Sequence, residues 1–441
     1  MDDTIFALAS GAGRAGVAVV RASGPLAGPA LAALTGALPE PRMAVLRTLR
    51  GGGRELIDRA LVLWFPGPAS FTGEDVAEFH IHGGPAVIAA LSEALTGLGL
   101  RPAGPGEFTR RAFERGQLDL TEAEGLADLI DAETEAQRAQ ALAQMGGALS
   151  GLYAGWRGQL IDILASIEGE IDFPDEEDVP ENLAARAGPP LDGLIGALTA
   201  HLADGRRGEQ VREGFAIAII GAPNAGKSSL LNYLARREAA IVSDIPGTTR
   251  DVVEVRDIRA GFVVMFADTA GLREAADVIE AEGVKRALAR AEAADLRCLV
   301  LDVSRETLSD GTVRLLRPGD VILANKADLS DRSISAPEGV AVFSASVKTG
   351  AGLDAFEAWL DAEITRRLGA REAAPRSRAR HRQLGERALD SLTEARARLT
   401  SSPELSGADV NRAIRSLGEL TGAVSIEDVL DRVFSQFCIG K

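Results

Sequence analysis

Cysteine is nearly absent: Cys298 and Cys438 are the only two in 441 residues, too few for a disulfide scaffold. Lysine is almost as scarce, at positions 227, 285, 326, 348 and 441, so all but five of the 48 basic residues are arginine. A lysine at a motif position is therefore not background in this chain. No uncharged apolar run reaches about 18 residues, so no membrane-spanning helix is expected. A basic stretch leading into an apolar one is missing at the start, where Asp2 and Asp3 stand instead. No signal peptide is expected, and a cytoplasmic protein is. Positive charge is in deficit, with 64 acidic residues giving a net charge of −16. That argues against a stand-alone nucleic-acid binder, whose phosphate-tracking surface should be basic.

What is present is a globular composition, 46% hydrophobic and 25% charged, which excludes bulk disorder. At ~150 residues per domain, the length predicts about three domains. Up to about residue 118, short β-like runs alternate with Gly/Pro punctuation. Val17–Arg21 and Leu61–Phe65 read as strands, and 76–82 alternates, with Ala77, Phe79 and Ile81 on one face and Glu78, His80 and His82 on the other. Ala86–Leu98 reads as a helix, completing an α+β unit. From about 120 to 171 the period becomes helical, with Met145, Leu149, Leu152, Trp156, Leu160, Ile163, Ile167 and Ile171 in one stripe. Gly151, Gly155 and Gly158 in that stretch each cost about 1 kcal/mol against alanine, so close helix packing is expected there.

Between about 214 and 370 apolar strands alternate with helix-length segments: 215–220, 263–267, 299–303, 321–324 and 340–343, broken only by Asp302. This pattern predicts a parallel, doubly wound sheet. Helix then returns, with Leu384, Ala388, Leu392, Ala395 and Leu399 in a stripe and a capping-box pattern at 425–428. The acidic run 175–178 and Arg376, Arg378, Arg380 and Arg382 are either solvated faces or partners of one another. The simplest organisation is an α/β domain inserted in a helical one, a multidomain α+β and α/β chain. Its expected parts are 1–118, helical 119–212, α/β 213–372 and helical 373–441.

Residues 221–228, Gly-Ala-Pro-Asn-Ala-Gly-Lys-Ser, fit G-x-x-x-x-G-K-[ST] between a predicted strand and a helix from Ser229. In such a loop backbone N–H groups cradle phosphates, Lys227 reaches the β- and γ-phosphates, and Ser228 ligates Mg²⁺. Three further elements follow in order. Gly247-Thr-Thr249 offers Thr249 as a second Mg²⁺ ligand. Asp268-Thr-Ala-Gly271 ends a strand, with Asp268 near the metal and the Gly271 amide near the γ-phosphate. Asn325-Lys-Ala-Asp328 follows another strand, and Asp328 can accept from guanine N1–H and the 2-amino group together. Ser344-Ala-Ser346 can close over the base. Together they select GTP over ATP. Many GTPases place a water-orienting glutamine after the Asp-Thr-Ala-Gly element; here it is Leu272, leaving Glu274, Glu280 and Glu282 as local candidates.

Beyond the G domain, the chain resembles the MnmE (TrmE) family of tRNA-modification GTPases over nearly its whole length. The resemblance is carried by Phe71-Thr-Gly-Glu-Asp75, His82-Gly-Gly-Pro85, Pro105-Gly-Glu-Phe-Thr-Arg-Arg-Ala-Phe113, Leu118-Asp-Leu-Thr-Glu-Ala-Glu124, Asp244-Ile-Pro-Gly-Thr-Thr-Arg-Asp251 and Phe437-Cys-Ile-Gly-Lys441. It implies a Ras-like G domain inserted in a discontinuous helical domain, behind a folate-binding N-terminal domain that forms a homodimer. It also implies K⁺ ligation by Asn224, Ser243, Ile245 and Thr248, and Glu280 as the catalytic glutamate. Asn224, Ala225, Gly226, Lys227, Ser228, Ser229, Ser243, Thr248, Thr249, Asp268, Gly271, Asn325, Lys326, Asp328, Ser344 and Ala345 are the implied GTP contacts. Arg21, Glu78 and Lys441 match positions for 5-formyltetrahydrofolate, and Gln117 stands where the family usually has lysine, a contact without charge. Cys438 is either a nucleophile or a packed thiol, and Cys298 reads as core. The implied activity is addition of an aminomethyl or carboxymethylaminomethyl group at C5 of the wobble uridine of certain tRNAs, with the one-carbon unit from folate. The implied partner is the flavoprotein MnmG, which carries the FAD and contributes to tRNA binding. A GTP-gated RNA or ribosome assembly switch without modification chemistry is the alternative.

Overall fold

The computed structural model describes residues 3–172, 183–235, 254–268, 289, 291–305, 307–308, 313–369, 378–424, 427–435, 437 and 440. The chain opens with β1 (Ile5–Leu8), β2 (Ala15–Ser23), α1 (Ala27–Thr35), β3 (Val45–Arg50), β4 (Leu56–Phe65), β5 (Val76–Gly83), α2 (Pro85–Gly97), β6 (Arg101–Pro102) and α3 (Glu107–Glu114). Helices α4 (Leu120–Asp131), α5 (Glu135–Met145), α6 (Ala148–Asp172), α7 (Leu183–Arg186) and α8 (Gly188–Glu213) follow. Next come β7 (Phe215–Ile220), α9 (Lys227–Ala235), β8 (Glu254–Arg259), β9 (Phe262–Asp268), β10 (Leu296–Asp302), β11 (Val321–Asn325), β12 (Ala341–Ser344) and α10 (Leu353–Leu368). The last helices are α11 (Ala379–Arg398), α12 (Pro403–Thr421) and α13 (Glu427–Phe434). Contacts divide the chain into two compact units, one of residues 1–127, 143–195 and 384–441, the other of 128–142 and 196–383.

In the first unit a six-stranded sheet runs β3-β4-β5-β2-β1-β6, antiparallel except where β1 meets β6. The alternation in β5 does what its sequence predicts. Ala77, Phe79 and Ile81 are buried, while Glu78 and His80 are half-buried and His82 is exposed. Phe79 sits in register with Val20 and Val62, and α1 and α2 seal that face with Leu31, Leu91 and Leu95. Gly36, at φ 85°, ends α1 where a side chain would be strained.

The helical stripe of this unit is sharper than its sequence suggested. Along α6, Leu149, Tyr153, Trp156, Leu160, Ile163 and Ile167 are buried, whereas Leu152 is exposed. The reading of Gly151, Gly155 and Gly158 as close-packing positions is overturned: a Cβ at any of them would meet nothing within 4 Å among the described residues. All three lie on the exposed side of α6. Close approach occurs elsewhere. A Cβ on Gly125 of α4 would come within 2.6 Å of the Met145 amide nitrogen, and one on Gly407 of α12 within 3.6 Å of Leu164 and Ile167 of α6. Leu384, Ala388, Leu392, Ala395 and Leu399 are all buried as their spacing predicts.

A buried ionic cluster ties α3 to the sheet. The Arg111 side chain is 1% exposed and donates to Glu74 Oε2 at 3.1 Å, Asp3 Oδ1 at 2.8 Å and Glu107 Oε1 at 3.1 Å. Glu74 also accepts from Arg115 at 2.7 Å and from the Ser23 hydroxyl at 2.8 Å. Burial alone would raise the Glu107 carboxyl; Arg101, the Gly104 amide and Arg111 override it and hold it below its usual range.

The second unit holds the other sheet, β12-β11-β10-β7-β9-β8, parallel apart from the antiparallel edge pair β8–β9. The edge strand β8 is an addition to the sequence reading. Cys298 lies in β10 fully inside the core, and burial pushes its thiol up to about 12. Arg378 and Arg382 pair with Asp128 at 2.7 Å and Glu209 at 3.2 Å; the acidic run 175–178 and Arg376 lie outside the described residues. Among the described residues no helix is long and apolar enough to cross a membrane.

Two consequences are measurable. Arg111→Met leaves the Glu74 carboxylate buried with less compensation and is expected to lower stability by about 3 kcal/mol in urea unfolding. In a Cys438→Ser variant the remaining thiol should resist maleimide at mildly alkaline pH in the native protein and react on denaturation; native labelling would contradict its burial.

Candidate functional site

The loop between β7 and α9 has a backbone that its sequence makes possible. Gly221 and Gly226 take φ of 146° and 109°, and Asn224 takes 62°, a region asparagine enters more readily than most residues. A Cβ at 221 would strike the Val300 carbonyl, and one at 226 would strike the Asn325 side-chain amide. Lys227 opens α9 and is 4% exposed, its ammonium held by the Gly221 carbonyl at 2.8 Å and the Ala222 carbonyl at 2.7 Å. The first amides of α9 lack intrahelical acceptors, so loop and helix together offer donors and a positive dipole end to an anion.

Register brings the acidic partner in. Asp268, at the end of β9, pairs with Ile219 of β7, and the Ser228 hydroxyl donates to Asp268 Oδ2 at 3.3 Å. A hydroxyl beside a carboxylate is a hard oxygen donor set that suits Mg²⁺.

Residues 325 and 326 grip the same loop from the other side. Asn325 donates from Nδ2 to the Ala225 carbonyl at 2.7 Å and accepts from the Val347 amide at 3.0 Å. Lys326 Nζ donates to the Asn224 carbonyl at 2.9 Å and to Asp302 Oδ2 at 2.6 Å. Ala345 is buried and bonds back to the Ala324 carbonyl at 2.9 Å, while Ser229, Asp328 and Ser344 are exposed. Asp302, 3% exposed, also accepts from the Ser304 hydroxyl at 2.6 Å. Burial works to raise the Asp302 carboxyl, and Lys326 and Ser304 overcome it, holding it below the usual carboxylate range. Asp302, Ser304 and Val347 were not among the residues that motif spacing picked out. The lone carboxylate interrupting an apolar strand was the available signal for Asp302.

On the first sheet, cross-strand register sets Arg21 opposite Glu78, with Arg21 Nε donating to Glu78 Oε1 at 2.9 Å. The Arg21 guanidinium lies 5.5 Å from the centre of the Phe71 ring, and His80 meets Glu78 Oε2 at 3.2 Å. Gln117 is exposed, and its Nε2 lies 3.2 Å from where a Cβ on Gly73 would stand. The 71–75 loop therefore lies beside both Arg21 and Gln117. His82 is engaged elsewhere, its Nδ1 2.8 Å from Asp58 Oδ1. Among the described residues no group of three or more histidines, cysteines or carboxylates is arranged to hold a metal. Ser243, Ile245, Thr248, Thr249, Gly271, Glu280, Cys438 and Lys441 lie outside the described residues, as do Leu272, Glu274 and Glu282.

Comparison with known proteins identifies the family. Residues 4–117 match the family model described as "GTP-binding protein TrmE N-terminus", and residues 120–438 match that of the "MnmE helical domain". Curated "tRNA modification GTPase MnmE" proteins align end to end. Those of Maricaulis maris (strain MCS10) and Parvibaculum lavamentivorans are 60% and 56% identical, each covering 100% of both chains. That of Caulobacter vibrioides is 53% identical, again over 100% of both. The chain belongs to the MnmE (TrmE) family of tRNA modification GTPases.

Proposed function

We propose that this chain hydrolyses GTP in tRNA modification, with the phosphates on the loop 221–228 and the base against Asn325, Lys326, Asp328, Ser344 and Ala345. One observation carries the reading: Asn325 and Lys326 bond directly to the carbonyls of Ala225 and Asn224, which joins the 325–328 motif to the 221–228 loop as parts of one site. In it Asp328 accepts from the two guanine donors that adenine lacks. Lys227 exchanges its loop carbonyls for phosphate oxygens, and Ser229 sits in the first turn of α9 near the phosphates.

Ser228 with Thr249 would hold Mg²⁺, Asp268 supporting the Ser228 ligand, and Asn224 with Ser243, Ile245 and Thr248 would hold K⁺. When bound, the two cations offset the charge that builds on the phosphates during transfer. The Gly271 amide would meet the γ-phosphate, and Glu280 would orient the attacking water, a task Leu272 has no polar atom to perform. In the first unit, the Glu78 carboxylate is suited to the 2-amino and N3 positions of a pterin, with Arg21, Gln117 and Lys441 completing a 5-formyltetrahydrofolate site. Domains 1–118, 119–212, 213–372 and 373–441 would serve as folate-binding dimerisation domain, split helical domain and inserted G domain. The product would be an aminomethyl or carboxymethylaminomethyl group at C5 of the wobble uridine, made in the cytoplasm with MnmG, which supplies the FAD. Membership of the family supports this chemistry, and the acidity of the chain supports tRNA binding mainly through the complex.

Hydrolysis is expected to be faster in K⁺ than in Na⁺ at equal ionic strength, and equal rates would sink the potassium reading. Nucleoside analysis of tRNA from cells lacking the protein should show unmodified wobble uridines at C5. Unchanged nucleosides would instead favour the GTP-gated assembly switch.

A further inference from the structure

The carboxylate of Asp302 stands at the end of β10, a strand buried along its whole length. A carboxylate in such a place costs several kcal/mol unless donors surround it. Its two oxygens divide the work. Oδ1 is engaged by the amide and hydroxyl of Ser304, at 3.1 and 2.6 Å, and Oδ2 is left for Lys326 at 2.6 Å. Lysine is a point charge on a flexible four-carbon stem, and one acceptor does not fix its direction. Two acceptors do: Asp302 Oδ2 on one side and the Asn224 carbonyl, at 2.9 Å, on the other. Asn224 takes a φ of 62°, a left-handed conformation that asparagine tolerates, and the Lys326 bond to its carbonyl braces it there. Its neighbour Ala225 is braced separately, through Asn325.

We propose that Asp302 is a positioning residue of the nucleotide site: it aims the Lys326 ammonium so that one side chain both lines the base pocket and fixes the Asn224 arm of the phosphate loop. Affinity for the guanine nucleotide and the response to K⁺ then both depend on a carboxylate that touches neither. The inference rests on the GTP site proposed above and extends it to a residue outside every motif.

The test compares the full-length chain with Asp302→Ala and Asp302→Asn, using N-methylanthraniloyl-GDP titration, GTP kinetics and the K⁺ concentration giving half-maximal rate. Asp302→Ala is expected to weaken GDP binding about tenfold, the size of one charged hydrogen bond. It should raise KM by a similar factor with a much smaller change in kcat, and move the K⁺ midpoint upward. Asp302→Asn keeps an acceptor for Lys326 without the charge and should fall between. Unchanged GDP affinity, KM and K⁺ midpoint in Asp302→Ala, with only a lower melting temperature, would assign Asp302 a purely structural role and overturn the proposal. If the alanine variant does not fold, the near-isosteric Asp302→Asn decides: GDP affinity and KM equal to those of the unchanged chain overturn it. Binding of GDP by the unchanged chain tests the site itself, while Asp302 is read from the ratio between variant and unchanged chain, so the two fail separately.

Discussion

Taking a carboxylate out of water is costly unless a cation and further donors accompany it, and both units of this protein are organised around meeting that condition. In the first unit, Glu74 is enclosed by Arg111, Arg115 and Ser23, which pins the 71–75 loop between the sheet and α3. In the second, Asp257 faces Arg259 at 3.0 Å on the inner side of β8, and Asp302 faces Lys326 beneath the base motif. Arginine suits the structural sites, because it keeps its charge on burial and spreads several donors over a plane. The few lysines are placed differently. Lys227 and Lys326, two of the five, are the compact ammonium groups of the proposed nucleotide site, both bonded to carbonyls of the 221–228 loop.

The position of that site follows from strand order. In β12-β11-β10-β7-β9-β8 the winding reverses at β7, whose neighbours are β10 on one side and β9 on the other. In an open parallel sheet a crevice forms beyond the carboxyl ends of the strands at such a reversal. The loop after β7 therefore opens where Asp268 from β9 and Asp302 from β10 both end, and Asn325 from β11 arrives one strand further out. Four strand ends thus converge on the proposed ligand site, and the residues there need no special loop to bring them together.

Much of this was legible in the sequence because the signals were redundant. Strand, glycine-rich turn and helix agreed around Lys227, and the alternation of β5 named its buried face residue by residue. Strand β8 escaped because its inward positions are Val255, Asp257 and Arg259, so an ion pair occupies the places where apolar residues announce a strand. The glycines of α6 misled because a glycine reports only that a side chain is missing, not that a neighbour fills the space. Gly125, with the Met145 backbone against it, looks no different in sequence from Gly151. Asp302 was visible as an anomaly, but its partner lies 24 residues away and only strand pairing shows the two to be adjacent.

The contact between Gly226 and the Asn325 amide has a bearing on how such a site can change over time. The absence of a side chain at 226 is what admits the Asn325 amide, so the proposed phosphate loop and the proposed base-reading residue interlock. A lineage drifting toward another nucleobase could not alter the reading end alone. Any bulkier or displaced group at 325 would have to be accommodated by the turn that holds the phosphates, and a mutation in that turn would be felt at the base. On the proposed function, the interlock would make nucleotide preference a joint property of two distant stretches of sequence, hard to lose by one substitution and equally hard to redirect by one.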